Sequence, residues 1–307
     1  MSERVVSATL DADRPDDPDA GLTPGELAAK YGLALSGKRP PLVEYSRQLW
    51  SRRHFVLAFA TARLTANYTS ARLGQVWQVI TPLLNAAVYY LVFGMLLQTN
   101  RGIQNYIAYL CTGIFTFQFT QSAVLAGTRA ISGNLGLIRA LQFPRACLPL
   151  ALTIVQLQEL VVSMVVLAFI ILSTGEPLTL KWLLVLPTLL LQTVFNAGLA
   201  MLLARWGSKT TDLSQLMPFV IRTWMYMSGV FWSVQTVGAH VPHAVRTLLN
   251  LNPALVFNEL MRYALMDSVR ASSLTHHIWL LALGWAVVAG VVGYVHFWRA
   301  EEEYGRG

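Results

Sequence analysis

Gly32, Gly37 and Lys38, in the stretch GLALSGKRPP, fall at the spacing of a phosphate-cradling loop, G-x-x-x-x-G-K. Such a loop needs Ser or Thr after the lysine to hold Mg²⁺, a buried strand before it and a helix after it. Here Arg39 follows, then Pro40 and Pro41, and prolines donate no backbone N–H and fit a helix interior badly. Upstream, Thr23, Pro24 and Glu26 make a helix start, with a cap, a proline at the first helical position and a glutamate closing a capping box. Gly32 then suits the helix stop. The stretch reads as a short helix and a Pro-rich linker. No other phosphate loop occurs, so any ATP and Mg²⁺ must be bound by a partner polypeptide. The six histidines form no metal spacing, and neither a nucleophile elbow nor a paired-carboxylate site is present. No metal, cofactor or catalytic residue is expected in this chain.

The remaining residues of chemical interest are charges and rings set in apolar surroundings. Of the 307 residues 54% are hydrophobic and only 13% charged, against roughly 25% charged in a soluble domain. From Trp77 to Leu172 the one acidic residue is Glu159. This is the composition of an integral membrane protein. The net charge of +7 comes from Lys and Arg beside apolar segments, a placement that orients spans in a membrane and does not indicate nucleic-acid binding. Cys111 and Cys147 sit in or beside apolar runs and read as small membrane-buried side chains.

Six stretches are long and apolar enough to span a bilayer: 77–97, 106–126, 147–172, 182–204, 214–234 and 278–298. Trp77, Trp182, Trp206, Trp232, Trp279 and Trp298 lie near their ends, where indole rings favour the water–lipid boundary. With the N-terminus, the 127–146 and 205–213 loops and the C-terminus on one side, that side holds twelve Lys and Arg from residue 44 onward and the other side five. The positive-inside rule then puts both termini in the cytoplasm, and no cleaved signal segment is expected. Residues 1–43 read as a cytoplasmic tail, acidic and disordered over 1–22, with the short helix above. Residues 301–307 form the other tail, its Glu301, Glu302 and Glu303 a solvated helix end. Residues 44–64, EYSRQLWSRRHFVLAFATARL, read as one basic amphipathic helix along the membrane surface, or an elbow shaping a lateral entrance.

Within this frame Glu159 lies about 12 residues into the third stretch and Arg222 about nine into the fifth, roughly 18 and 14 Å from the cytoplasmic face at 1.5 Å per residue. Intramembrane charges are costly and normally paired or water-facing, so the two are expected either to pair or both to face a polar cavity. Ala282, Ala286 and Gly290 recur every four residues and allow close helix contact. The cytoplasmic stretch LIRALQFPRACLPL, 137–150, predicts a short helix bearing Arg139, with Phe143 at its end and Pro144 as its stop. This basic and aromatic knob, with Arg145, suits docking into a groove of another protein. The external stretch LNPALVFNELMRYALM, 251–266, is too short and too charged to span. With a second short helix after Pro242 it predicts a helical hairpin that dips into the outer leaflet as a lid, or lies on the surface.

Together with YTSARLGQVWQVITPLL, 68–84, these stretches resemble the permease subunit of ABC-2 polysaccharide exporters, which export lipid-linked O-antigen, teichoic acid and galactan. The matching residues are Tyr68, Ser70, Leu73, Gly74, Trp77 and Pro82; Leu137, Ile138, Phe143, Pro144, Leu148 and Pro149; and Asn252, Pro253 and Arg262. The resemblance covers roughly 44–300, and its wording is most similar to the actinobacterial galactan exporter. It implies a homodimer in the bacterial cytoplasmic (inner) membrane, two copies of a separate ABC ATPase, and a channel lined by spans one and five. It also implies a coupling helix in the 127–146 loop and a gate in the external hairpin, to which Asn252, Pro253, Glu259 and Arg262 are assigned. A sugar polymer must slide and not stick, and aromatic faces suit this: Tyr89, Tyr90 and Phe93 in span one, and Trp224, Tyr226 and Phe231 in span five. The alternatives are a permease of the same family for a drug or lipid, and a self-contained channel or carrier. The second would need no ATPase; the absence of visible internal repeats weighs against it.

Overall fold

The computed structural model describes residues 26, 30, 31, 40–69, 74–96, 103–233, 242–275 and 277–304, which contain helices and turns and no strand. The chain divides into two units, Met1–Arg39 and Pro40–Gly307. In the first, Glu26 and Lys30 are helical. Thr23, Pro24, Gly32 and the acidic stretch 1–22 lie outside the described residues, as do Ser70 and Leu73.

The second unit begins with α1 (Leu42–Ser51) and α2 (Arg53–Thr69). The single surface helix expected over 44–64 is therefore two, broken at Arg52, whose ψ of 11° leaves the helical range. Tyr45 of α1 is buried and its hydroxyl is committed elsewhere, whereas α2 packs Val56 and Ala60 on Cys147, Ala151 and Val155.

Among the described residues four helices are long and apolar enough to cross a membrane: Val79–Leu96, Cys147–Ser173, Leu180–Lys209 and Ile278–Arg299. The first consists of α3 (Trp77–Tyr89) and a π-helical continuation, Tyr90–Leu96. Gly94 is buried there, and a Cβ on it would press on the Tyr90 and Tyr106 rings. Helix α4 (Tyr106–Thr128) runs through the middle, with 17 of its 23 residues buried. Part of its polar face meets Gln192 of a later helix: Gln192 Nε2 donates to the Thr116 carbonyl at 2.9 Å and to Thr120 Oγ1 at 3.1 Å. After the short α5 (Leu135–Ala140) come α6 (Cys147–Ser173) and α7 (Val185–Lys209), the latter entered through a 3-10 turn, Leu180–Leu184. Helices α6 and α7 turn outward the apolar side chains that a bilayer covers, such as Val165, Phe169, Leu186 and Leu190.

Helix α8 (Asp212–Met227) ends seven residues before the predicted limit of 234. Gly229 adopts a left-handed φ of 66°, which glycine permits at no steric cost, and the chain turns back into the protein with Val230 and Phe231 buried. At 16 residues α8 rises about 24 Å. The segment between α8 and the last long helix forms α9 (His243–Asn250) and α10 (Pro253–Leu265). None of α9 is buried, whereas ten of the 13 residues of α10 are, so α10 enters the bundle and does not lie on the surface. Helix α11 (Ile278–Arg299) closes the unit against α7. A Cβ on Gly198 would overlap the Ala289 carbonyl, and one on Gly293 that of Gly198. Ala282, Ala286, Ala289 and Gly293 line this contact. Gly290 sits at its edge beside Val194, because a helix turns once in 3.6 residues and a strict four-residue step drifts off the face.

Candidate functional site

Where α8 unwinds, six successive carbonyls, from Met227 to Trp232, lose their helical donors. Backbone of this kind is tolerated at membrane depth only where protein or water satisfies it. Each carbonyl receives a side chain. Asn252 Nδ2 donates to Met227 O at 2.9 Å, Asn258 Nδ2 to Ser228 O at 3.1 Å, Arg262 Nη1 to Gly229 O at 2.9 Å and Arg262 Nη2 to Val230 O at 3.0 Å. The Tyr106 hydroxyl donates to Phe231 O at 3.2 Å and the Tyr109 hydroxyl to Trp232 O at 3.0 Å. One row of donors thus comes from α10 and its cap, the other from the first turn of α4.

Arg262 is the keystone of the first row. It is 2% exposed. Its Nε donates to Tyr109 O at 3.1 Å, and the guanidinium lies 3.4 Å from the Tyr109 ring centroid, within the range of cation–π attraction. Gly113 makes room for it, since a Cβ there would strike Nη2. Glu259, three residues earlier on α10, lies within electrostatic reach of Arg262 and accepts from Thr275 Oγ1 at 3.1 Å. Asn252 caps α10 through its Oδ1, which accepts from Ala254 N at 3.1 Å and also from Trp224 Nε1 at 2.8 Å. Pro253 takes the first helical position, where its missing N–H is no loss. The far end of α10 is held by Glu176, whose Oε2 accepts from Asp267 N at 2.8 Å and whose Oε1 accepts from Ser268 Oγ at 2.6 Å.

Four of the six channel candidates meet on this platform. Phe231 stacks on Phe93 at 4.2 Å between centroids and 15° between planes. Tyr89 meets Phe231 edge-on at 4.9 Å and Tyr226 lies at 5.6 Å. Phe231 is buried and Tyr226 46% exposed, so the tier has an inner anchor and an outer open side. Tyr90 and Trp224 do not join it. Tyr90 is one helical step from Tyr89 and turns to Tyr106; Trp224 stands edge-on to Phe117 and spends its indole N–H on Asn252.

Glu159 and Arg222 are not brought together. Among the described residues no ion pair joins them. Glu159 lines a cavity of about 170 Å³ with Gln118, Ser122, Gln156 and Ser163, between α3, α4 and α6, whereas Arg222 lies exposed on α8, within electrostatic reach of Tyr89. Helices α6 and α8 each pack on α4 and scarcely on one another.

In the 127–146 loop α5 ends at Ala140, before Phe143, which packs inward on Phe55 at 5.2 Å. Arg139 and Leu141 are exposed at the tip, and Pro144 is buried behind it. Arg145 does not point outward as a docking group: its amide donates to Glu301 Oε1 at 2.9 Å and its guanidinium to Glu301 O at 2.8 Å. Glu301 is 5% exposed, so the expected solvated helix end holds for Glu303, paired with Lys209 at 3.4 Å, but not for Glu301. Burial pushes the Glu301 carboxyl above the ordinary carboxylate range, against the pull of the Arg145 amide, the Tyr45 hydroxyl and the Arg145 charge. Sequence reading missed Tyr106, Tyr109, Asn258, Glu176 and Glu301. Asn258 and Arg262, four apart on α10, were a usable signal, being polar side chains on an otherwise apolar face. No pattern in the chain ties Glu301 to Arg145. Among the described residues no group of three His, Cys, Asp or Glu side chains is placed to hold a metal.

Comparison with known proteins places this geometry. The chain is 23% identical over 237 residues to the O-antigen export system permease protein RfbA of Myxococcus xanthus, covering 77% of this chain and 86% of that one. It is 24% identical over 191 residues to the protein of the same name from Klebsiella pneumoniae, covering 62% and 71%. The sequence profile described as ABC-2 type transporter matches residues 56–266, from α2 through the aromatic tier to the end of α10. This chain belongs to the ABC-2 type transporter family.

Proposed function

We propose that this chain is the channel-forming membrane subunit of an ATP-driven exporter of a lipid-linked polysaccharide, with galactan as its cargo. Two copies enclose the channel and two copies of a separate ABC ATPase, which bind the ATP and Mg²⁺, drive it. The tier of Tyr89, Phe93, Tyr226 and Phe231 carries this reading. Sugar rings present apolar faces that stack on aromatic ones, and hydroxyls that prefer water. The tier is open on the α8 side, where Leu216, Phe219, Tyr226 and Met227 are exposed at helical spacing; a second copy facing it would complete the wall. The relatives' role in O-antigen export, which their names give, favours a polysaccharide over a drug or a simple lipid.

In this reading α4 and α8 join the four long apolar helices as six spans, and the excess of Lys and Arg sets both termini in the cytoplasm of a bacterium. Helix α5, tipped by Arg139, meets the ATPase, with Phe143, Pro144 and Arg145 anchoring it from behind. The α9–α10 hairpin, fixed by Asn252, Pro253 and Arg262 with Glu259 at its outer side, gates the external end. The test is purification from native membranes with whatever ATPase accompanies the chain, followed by reconstitution. ATP turnover is expected to rise with the lipid-linked glycan fraction of the same membranes. Transport by the chain alone without nucleotide would refute the reading, as would a complex stimulated by hydrophobic drugs and indifferent to glycan.

A further inference from the structure

Helix α6 begins without a cap of its own. The Cys147 and Leu148 amides pair with the Pro144 and Arg145 carbonyls of the turn that leads into it, but Ala146 supplies no side-chain acceptor, and the Arg145 and Ala146 amides that open this turn are left for acceptors from elsewhere. Two acceptors come from distant parts of the chain. Glu301 Oε1 accepts from the Arg145 amide at 2.9 Å, and the Tyr45 hydroxyl oxygen accepts from the Ala146 amide at 3.2 Å. The same hydroxyl donates to Glu301 Oε2 at 2.7 Å, and the Arg145 guanidinium, 3.6 Å from Oε1, also donates to the Glu301 carbonyl. An anion at a helix N-terminus is where the helix dipole favours it. Around this node Tyr304 stacks on Phe297 at 4.6 Å, Trp298 Nε1 donates to Pro40 O at 3.0 Å, and Ser46 bonds the Tyr294 hydroxyl at 2.7 Å. Ile131, Ile138 and Leu148 fill the space between.

We propose that Glu301 and Tyr45 are positioning residues for energy coupling: they cap α6 from outside and lock α1, the 144–146 segment behind α5 and the end of α11 into one block. The inference rests on the reading of α5 as the ATPase contact. Helix α5 has six residues, and Leu141 beyond it is extended, so α5 alone would pivot under load. With the node in place its displacement is delivered to α6, α1 and α11 together. Without it the same displacement is absorbed in the 141–146 linker, and ATP is consumed without transport.

The experiment uses the reconstituted complex of this chain with its co-purifying ATPase and the glycan fraction described above, measuring ATP turnover and glycan moved per ATP. Glu301→Ala is expected to lower glycan moved per ATP about tenfold while ATP turnover stays within about twofold, the scale of losing a charge-assisted hydrogen bond. Glu301→Gln keeps an acceptor for the Arg145 amide and should recover most of the ratio, and Tyr45→Phe should fall between. Amide exchange at Arg145 and Ala146 should quicken in the same order. An unchanged ratio in Glu301→Ala overturns the proposal. So does a parallel loss of turnover and transport with Gln no better than Ala, which marks a purely structural role. Where Glu301→Ala fails to fold, the near-isosteric Gln and Phe variants decide alone: both at the unmodified ratio, with unmodified exchange, overturns it. If the unmodified complex moves no glycan, the transport reading itself fails and the coupling role falls with it, whereas unchanged ratios in a working complex reject the coupling role alone.

Discussion

Replacing Arg262 with Met tests whether the unwound end of α8 is held by α10. Met fills most of the volume without a donor, so the loss is chiefly polar. The buried Gly229 and Val230 carbonyls lose their partners at 2.9 and 3.0 Å, and the Tyr109 carbonyl, which keeps its helical bond, loses a second one at 3.1 Å. At about 1–3 kcal/mol for each of the two orphaned acceptors and about 1.5–3 kcal/mol for the lost charge-assisted bond to Tyr109, the gross penalty is about 3.5–9 kcal/mol. Against it stands the relief of no longer holding a cation out of water, worth several kcal/mol. A net loss of about 3 kcal/mol follows, concentrated at one segment. Hydrogen exchange of the amides of 228–233 in detergent or nanodiscs is the assay, and a local loss of that size speeds exchange about 100-fold. Arg262→Lys, with a point charge in place of a planar fork, should fall between. If exchange at 228–233 in Arg262→Met equals that of the unmodified protein, the guanidinium is not what fixes this segment. The aromatic tier would then need another support.

Gly198→Ala should lower the melting midpoint by about 2 kcal/mol equivalent although alanine favours helix by about 1 kcal/mol, because its methyl meets the Ala289 backbone. Gly284→Ala, with nothing within 4 Å, should be neutral or stabilising, and equal effects of the two would deny the close α7–α11 contact. Tyr226→Leu should reduce glycan-stimulated ATP turnover about 3–10-fold, the scale of one lost aromatic stack, while Tyr226→Phe retains it; equal behaviour of the two would exclude stacking at this ring. The raised Glu301 carboxyl gives a pH test. The folded protein holds that proton more tightly than the unfolded chain, so this group adds stability below the ordinary carboxylate value and loses it as pH rises through the folded value. Melting midpoints should fall with rising pH across that window, and Glu301→Gln should flatten the slope; parallel slopes would contradict the burial of an ionised Glu301.

The long helices were legible because a bilayer demands some 20 apolar residues in a row, and the ends of α4, α6 and α11 fall within two residues of the apolar stretches. Helix α8 was misjudged for a physical reason. Val230, Phe231 and Trp232 are as apolar as a span, but they continue it as a turn inside protein, and hydropathy does not distinguish lipid from a protein interior. The convergence of Tyr89, Phe93, Tyr226 and Phe231 was readable only in part: helical spacing aligned Tyr89 with Phe93, whereas their meeting with Phe231 depends on Gly229 reversing the chain. Tyr90 shows the limit, since one residue is about 100° on a helix and separates two adjacent tyrosines into different environments. In the sequence Arg262 is visible as a charge in a short helical stretch. That it reaches three carbonyls, two of them across a turn, is a tertiary fact with no local signature. Glu301 was hidden further still: a triplet of glutamates at a chain end looks solvated until the packing of Tyr45 and Tyr304 closes over one of them.

The carbonyls of 227–232 have one more consequence. A naked peptide oxygen is a strong acceptor, and a strand rich in hydroxyls threading past a row of them would be held at every step. Here each of the six already receives a donor from Asn252, Asn258, Arg262, Tyr106 or Tyr109. What the bend offers to a hydroxylated passenger is ring surface with its adhesive groups turned inward and occupied. In the proposed channel, the side chains that hold the fold at this point would also lower its friction.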